Sequence, residues 1–186
     1  MIQFVSLKQQ KEKLQNIKKL YLEAFPAEER VPFFYLKYKL SRSSADCFHI
    51  YADGRWIGFL YVVFYEDIVF VFYFAVQSDV RGMGYGSQIL DNLKSLYPHR
   101  RFILNIEEPD EGSDNHEQRR KRKQFYLRNG FRECRFKMIE KNVVYEMLCC
   151  GDDVTYPEYE QLIKNYLGNW IYKLYYKVYF PPAGRE

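Results

Sequence analysis

The apolar positions of this chain change period several times, and each change marks an element. Ile2 to Leu7 is short and partly alternating, which predicts a first strand. Over residues 8–25, Leu14, Ile17, Leu20, Tyr21 and Phe25 fall at helical spacing with lysines on the other face, and Pro26 stops that helix. A second helix is expected to start near Pro32, within AEERVPFFYLKYKL. Past a polar loop at Ser41 to Asp46, two β-rich runs, 47–52 and 55–65, flank Asp53-Gly54, a strong two-residue hairpin signal. Glu66-Asp67 then turns the chain into IVFVFYFAV, residues 68–76, which reads as a buried strand.

The second half of the pattern begins with SQILDNLKSLY, where Ile89, Leu90, Leu93 and Leu96 keep helical spacing up to Pro98. RFILNIE, residues 101–107, is a short apolar strand, and the crossover rule makes it parallel to 68–76. A polar loop leads to Asn115, which with Gln118 forms a candidate capping box for a helix through EQRRKRKQFYLRN that ends at Gly130. Two strands, 131–140 and 143–150, are joined by Lys141-Asn142. From Tyr156 to Phe180 a helical stripe carries Tyr159, Leu162, Ile163, Tyr166, Leu167, Trp170, Ile171 and Leu174, with Gly168 as its break. That aromatic-rich tail packs on the preceding domain or forms a homodimer seam. The predicted order over residues 1–150 is βααβββαβαββ.

Composition narrows the classes. A chain of 186 residues with 47% hydrophobic and 28% charged residues is one globular domain, or one with an appendage, and not a disordered segment. Its 18 Tyr and 15 Phe favour strands and thick apolar interfaces. A net charge of +4 is too small to argue for nucleic acid but suits an anionic ligand. Cys47, Cys134, Cys149 and Cys150 show no C-x-x-C spacing, so no metal site is expected. The N-terminus MIQFVSLKQQ lacks the apolar core of a leader, which with the cysteines points to reduced thiols and a cytoplasmic protein. No apolar run reaches the roughly 18 residues of a membrane span.

The candidate chemistry centres on FAVQSDVRGMGYGS, residues 74–87, where a strand passes through Gly82, Gly84 and Gly86 into a helix. A turn of this kind aims several backbone N–H groups at one anion, and the helix amino end adds to the field. A Walker loop needs a lysine that Gly86-Ser87-Gln88 does not supply, and a Rossmann fingerprint needs Gly or Ala where Ser87 stands. Glu107, an acidic residue beyond the turn, would suit a Rossmann ribose, but the antiparallel strands upstream argue against that fold. Arg81-Gly82-Met83-Gly84-Tyr85-Gly86 fits R/Q-x-x-G-x-G/A throughout. On this motif, and on the element order, residues 1–150 resemble the GNAT superfamily of N-acetyltransferases.

The resemblance implies a mixed α/β sheet flanked by helices, a GNAT domain over 1–150 and a helical extension over 151–186. It implies acetyl-coenzyme A on the loop Arg81, Gly82, Met83, Gly84, Tyr85, Gly86 and Ser87, with its pantetheine arm beside Phe74, Ala75 and Val76. Phe125-Tyr126-Leu127-Arg128-Asn129-Gly130-Phe131 is similar to the family's helix-end signature, which makes Tyr126 the acid for the departing thiolate. Where many members carry Asn, seven residues before the tyrosine, this chain has Arg119. Arg119 and Arg122 share a helix face with Tyr126 and are candidate phosphate ligands. Glu107 and Glu108, at the end of their strand, are candidate bases for the acceptor amine. Glu28, Glu29 and Arg30 are candidates for acceptor binding, and the tail helix could also cover the acceptor cleft. The acceptor is a small-molecule or peptide amine. A non-catalytic acyl-coenzyme A module and a dinucleotide-binding domain are the alternatives.

Overall fold

The computed structural model describes residues 1–8, 14–41, 44–113, 115–140, 143–169, 172–173 and 176–179, and of Glu28 and 176–179 the backbone alone. Two compact units divide the chain, Met1–Phe64 with Val71–Pro98, and Tyr65–Phe70 with His99–Glu186.

In the first unit the strands β1 (Ile2–Ser6), β2 (Ala45–Ala52), β3 (Arg55–Tyr65) and β4 (Ile68–Val76) lie in sequence order. β1 pairs antiparallel with β2 from Ile2↔Ala52 to Ser6↔Phe48. The β2–β3 hairpin turns on Asp53 and Gly54, both at positive φ (48° and 81°), the geometry that favours Asp-Gly in a two-residue turn. Helix α1 (Leu14–Ala24) buries Ile17, Leu20 and Tyr21, and α2 (Phe33–Leu40) follows Pro32 as expected. Helix α3 (Tyr85–Leu96) buries Ile89, Leu90 and Leu93, three of the four positions that its period marks, while Leu96 stays exposed.

The second unit takes the first residues of β4 and adds β5 (Arg101–Glu107), β6 (Arg132–Glu140), β7 (Val143–Cys150) and β8 (Tyr176–Tyr179), in the order β4-β5-β7-β6-β8. β5 runs parallel to β4, as the crossover rule requires, in a register that extends from Ile68↔Arg101 to Phe70↔Ile103 and ends there. Helix α4 (His116–Arg128) closes at Asn129 and Gly130, the latter at φ +82°. Helix α5 (Tyr156–Leu167) sets Tyr159 edge-on to Phe70 (5.6 Å between centroids) and against Phe136 (5.8 Å).

Two expectations change. Asn115 precedes α4 but makes no side-chain cap, whereas α5, for which no cap was expected, is capped by Thr155. The Thr155 backbone N–H and hydroxyl both donate to Glu158 Oε2, at 2.8 and 2.7 Å. Helix α5 ends at Leu167, because Gly168 leaves helical geometry at φ +96°, as the break expected there requires. Asn169, Tyr172 and Lys173 are helical again, and among the described residues the tail departs from the expected helix only at Tyr176–Tyr179, which forms β8 on the edge of β6. Trp170, Ile171, Leu174 and the Lys141-Asn142 turn lie outside the described residues. Among the described residues no helix is long and apolar enough to cross a membrane.

Arg101 joins three segments of the second unit. It meets the Asp67 carboxylate twice at 2.7 Å, Glu158 at 2.8 Å and the Asp153 carbonyl at 2.8 Å. Hydrogen bonding to Arg101 holds the Glu158 carboxyl down at about 2. A carboxyl with a depressed folded-state value stabilises above its unfolded range and loses that contribution as pH falls through the folded one. Acid titration followed by circular dichroism is therefore expected to show stability falling from about pH 4.5 towards about pH 2. Glu158→Gln is expected to remove part of that slope and to lower Tm by a few degrees at neutral pH; an unchanged slope would show that Glu158 contributes nothing to it.

Candidate functional site

The glycine turn is built at the end of β4, in the first unit. A short 3₁₀ turn, Ser78–Val80, leads to Arg81, whose Nε donates back to the Val76 carbonyl at 3.3 Å. Gly82 and Gly84 sit at φ +79° and +80°, and a β-carbon on either would meet nothing within 4 Å. Backbone direction, not crowding, therefore requires glycine at both positions, and the space beside them is open. Gly84 is also the residue before α3, so no side chain caps that helix, and no acidic residue lies in its first turn. The first N–H groups of a helix have no intrahelical partner. Among the described residues no side chain caps them, in contrast to α5, where Glu158 fills that place. Gly86 and Ser87 lie within the first turn of α3, and Met83 is 61% exposed at the crest of the loop.

β4 enters this loop through Phe74 and Val76, both half-buried, and Ala75, which is buried. Gly58 on β3 packs against that peptide so closely that a β-carbon there would stand 2.3 Å from the Ala75 carbonyl oxygen. The backbone carrying Ala75 and Val76 is thus held from behind by a neighbour that cannot grow.

The segment Glu28–Arg30 is joined to the same strand. Glu29 ends a 3₁₀ turn that begins at Ala27, after Pro26 has closed the α1 connection. The Tyr73 hydroxyl of β4 donates to the Glu29 carbonyl (3.0 Å) and accepts from the Val31 N–H (3.1 Å). Tyr21 donates to the Val31 carbonyl at 2.8 Å and packs edge-on against Tyr73, with centroids 4.9 Å apart. Burial pushes the Tyr21 phenol up to about 12. The structure therefore ties the backbone from Glu29 to Val31 to β4 through Tyr73, a residue that the sequence pattern does not single out. The Glu28 side chain lies outside the described residues.

The second unit holds the other candidates. Glu107, 9% exposed, ends β5 with Oε2 at 2.8 Å from Arg119 Nε, and Arg119 also donates through Nη1 to the Glu108 carbonyl at 3.1 Å. The Glu108 carboxylate pairs with Lys137 of β6. Beneath them Glu146 of β7, 6% exposed, receives Lys123 of α4 at 2.8 Å and lies 3.7 Å from Lys137. Lys123 reaches Glu133 as well, at 2.7 Å. Burial opposes the charge of Lys123, and the two carboxylates more than offset it, so its ammonium is held above the usual lysine range. Tyr126 is buried between Phe125 and Phe131, whose ring centroids lie 5.0 and 5.6 Å away. Burial pushes its phenol up to about 12, and the charge of Arg122, one helical turn earlier, acts in the opposite direction. Among the described residues no group of three or more His, Cys, Asp or Glu side chains could hold a metal ion.

A mixed sheet flanked by helices, with a glycine turn leading from β4 into an uncapped α3, defines the acyl-coenzyme A N-acyltransferase fold. Residues 43–133 match the family model described as the acetyltransferase (GNAT) domain. The fold is that of this superfamily of acyltransferases, and the family match lies within residues 43–133. It is similar in structure to a GNAT-family protein from Bacteroides thetaiotaomicron, 23% identical with a TM-score of 0.70, over 90% of this chain and 98% of that one. An aminoglycoside 6'-N-acetyltransferase in complex with coenzyme A is similar at 14% identity and a TM-score of 0.62, over 80% and 95% of the two chains. A spermidine N-acetyltransferase chimera from Vibrio cholerae is similar at 15% identity and 0.60, over 90% and 99%. No curated protein matches the sequence.

Proposed function

We propose that the protein is an acetyl-coenzyme A-dependent N-acetyltransferase that passes the acetyl group directly to a primary amine of a small molecule or peptide. The observation that carries this reading is the bare amino end of α3 behind Gly82 and Gly84, set on the motif Arg81 to Gly86. These residues fit a diphosphate, because the turn offers backbone donors and open space where a side chain would otherwise stand. When bound, the coenzyme supplies a thioester-activated acetyl group. Backbone amides from Arg81 to Ser87 hold the diphosphate, and the β4 backbone at Phe74, Ala75 and Val76 lines the pantetheine arm. A β4 N–H stabilises the oxyanion that develops, at little reorganisation cost because Gly58 already fixes that peptide. Tyr126 gives its phenolic proton to the departing thiolate, and a carboxylate of Glu107 or Glu108 takes a proton from the amine. Among the cations of α4, Arg122 is available for an anion at that end of the helix.

For the acceptor, Glu29 and Arg30 supply a polar wall fixed by Tyr73. The solved neighbours include enzymes named for an aminoglycoside and for spermidine, both cationic amines. Here Glu107 and Glu108 each already face a cation, so attraction of a polycation rests on the segment from Glu28 to Arg30. The test is a thermal-shift titration with acetyl-coenzyme A and with NAD, followed by an amine library assayed for release of free coenzyme A. The expected result is stabilisation by acetyl-coenzyme A alone and turnover with at least one primary amine. Stabilisation by NAD instead would overturn the assignment, and cofactor binding without turnover on any amine would make this a binding module.

A further inference from the structure

Five cations follow one another on α4, and four of them already have partners. Arg120 and Lys121 pair with Glu117 on the helix surface, and Lys123 turns to Glu133 and Glu146. Arg119 turns to the end of β5. We propose that Arg119 is a positioning residue for Glu107 and not a phosphate ligand: it grips one carboxylate oxygen and leaves the other to take the proton of the acceptor amine. This inference rests on the acetyltransferase reading above, and it selects between the two carboxylates that reading leaves open.

The geometry separates the candidates. One guanidinium pairs through Nε with Glu107 Oε2 and donates through Nη1 to the Glu108 carbonyl, so the side chain that ends β5 and the residue just past the strand meet a single planar group. Among the described residues nothing pairs with Glu107 Oε1, although the residue is only 9% exposed. A carboxylate bound through one oxygen keeps the lone pairs of the other as acceptors. Glu108 lacks this arrangement, since Lys137 occupies its carboxylate and its side chain is 36% exposed. Glu146 faces two lysines. In the step itself an N–H bond of the acceptor ammonium breaks and its proton passes to Oε1. The electron pair stays on nitrogen as the nucleophile, and Glu107 returns the proton to water after turnover.

The experiment compares Arg119→Gln, Arg119→Lys, Glu107→Gln, Glu108→Gln and the Arg119→Gln/Glu107→Gln double variant. Arg119→Gln and Glu107→Gln are each expected to lower kcat about thirtyfold or more, with KM for acetyl-coenzyme A within about twofold. The double variant is expected to be no slower than Glu107→Gln alone, because both substitutions remove one device. Arg119→Lys keeps the charge but not the fork and should recover part of kcat, while Glu108→Gln should lose about tenfold less kcat than Glu107→Gln. Arg119→Gln leaves a mostly buried carboxylate unpaired and can unfold the chain. In that case the matter is decided between Glu107→Gln, which leaves the guanidinium with the Glu108 carbonyl alone, and the double variant, which leaves neither charge. Independent losses in the double variant, or native kcat in Glu107→Gln, would overturn the proposal. So would acetyl-coenzyme A binding about tenfold weaker in Arg119→Gln or Arg119→Lys, read by thermal shift without any acceptor. Absence of acetyl-coenzyme A binding in the native protein would instead remove the reading on which the proposal stands.

Discussion

Gly84→Val is expected to raise KM for acetyl-coenzyme A about a hundredfold while lowering Tm by only a few degrees. Gly84 sits at φ +80°, where a β-branched residue is strained by roughly 1–2 kcal/mol. The loop can relieve that strain by leaving the left-handed region, but it then turns the N–H groups at the start of α3 away from one another. Losing even one hydrogen bond to a charged group costs about 1.5–3 kcal/mol, and together the two effects approach the roughly 2.7 kcal/mol of a hundredfold change. The fold is spared because the added side chain points into open space. The measurement is the acetyl-coenzyme A-dependent thermal shift together with KM. Native affinity in Gly84→Val would mean that the diphosphate is held elsewhere.

Tyr126→Phe is expected to lower kcat about a hundredfold with cofactor affinity unchanged within about twofold. Phenylalanine keeps the ring against Phe125 and Phe131, and among the described residues the hydroxyl has no partner to lose, so stability should hold. The pH dependence has a definite sign. Burial raises the phenol to about 12, so Tyr126 keeps its proton throughout the assayable range, and no alkaline decline in kcat should arise from it below about pH 10. The same burial makes the buried phenol a weaker acid, and the positive charge of Arg122 is the feature that counters it. Full activity in Tyr126→Phe would reassign thiolate protonation to water or to another group.

The fold was legible where its signals are local. Asp53-Gly54 set the first hairpin, and the strand at 101–107 has the limits that its apolar run and Pro98 indicate. The stretch from IVFVFYFAV through three glycines into a helix was legible as strand, turn and helix from residue types alone. In the tail the helical reading holds on both sides of Gly168, with Asn169, Tyr172 and Lys173 helical. Among the described residues it fails only at Tyr176–Tyr179, where alternating residues suit a strand as well and pairing with β6 decides. On α4, spacing placed the cations on a face but could not name their partners, which come from β5, β6 and β7. One of those contacts was readable. Once Lys141-Asn142 is taken as the turn, Lys137 falls opposite Glu146, as the register shows. The role of Tyr73 had no local signal, because its partners lie more than forty residues earlier in the chain.

Tyr73 also bears on how variants of this protein are to be interpreted. It is a residue of β4, yet its hydroxyl sustains the stretch from Glu29 to Val31, so deleting that one oxygen releases two backbone contacts on a different segment. On the proposed reading of Glu29 and Arg30 as the acceptor wall, loss there would register in a mutational scan as altered acceptor choice, although Tyr73 need never touch an acceptor. On that same reading, divergence of amine preference among related sequences can proceed through a tyrosine of β4, without any exchange in the residues proposed to meet the amine.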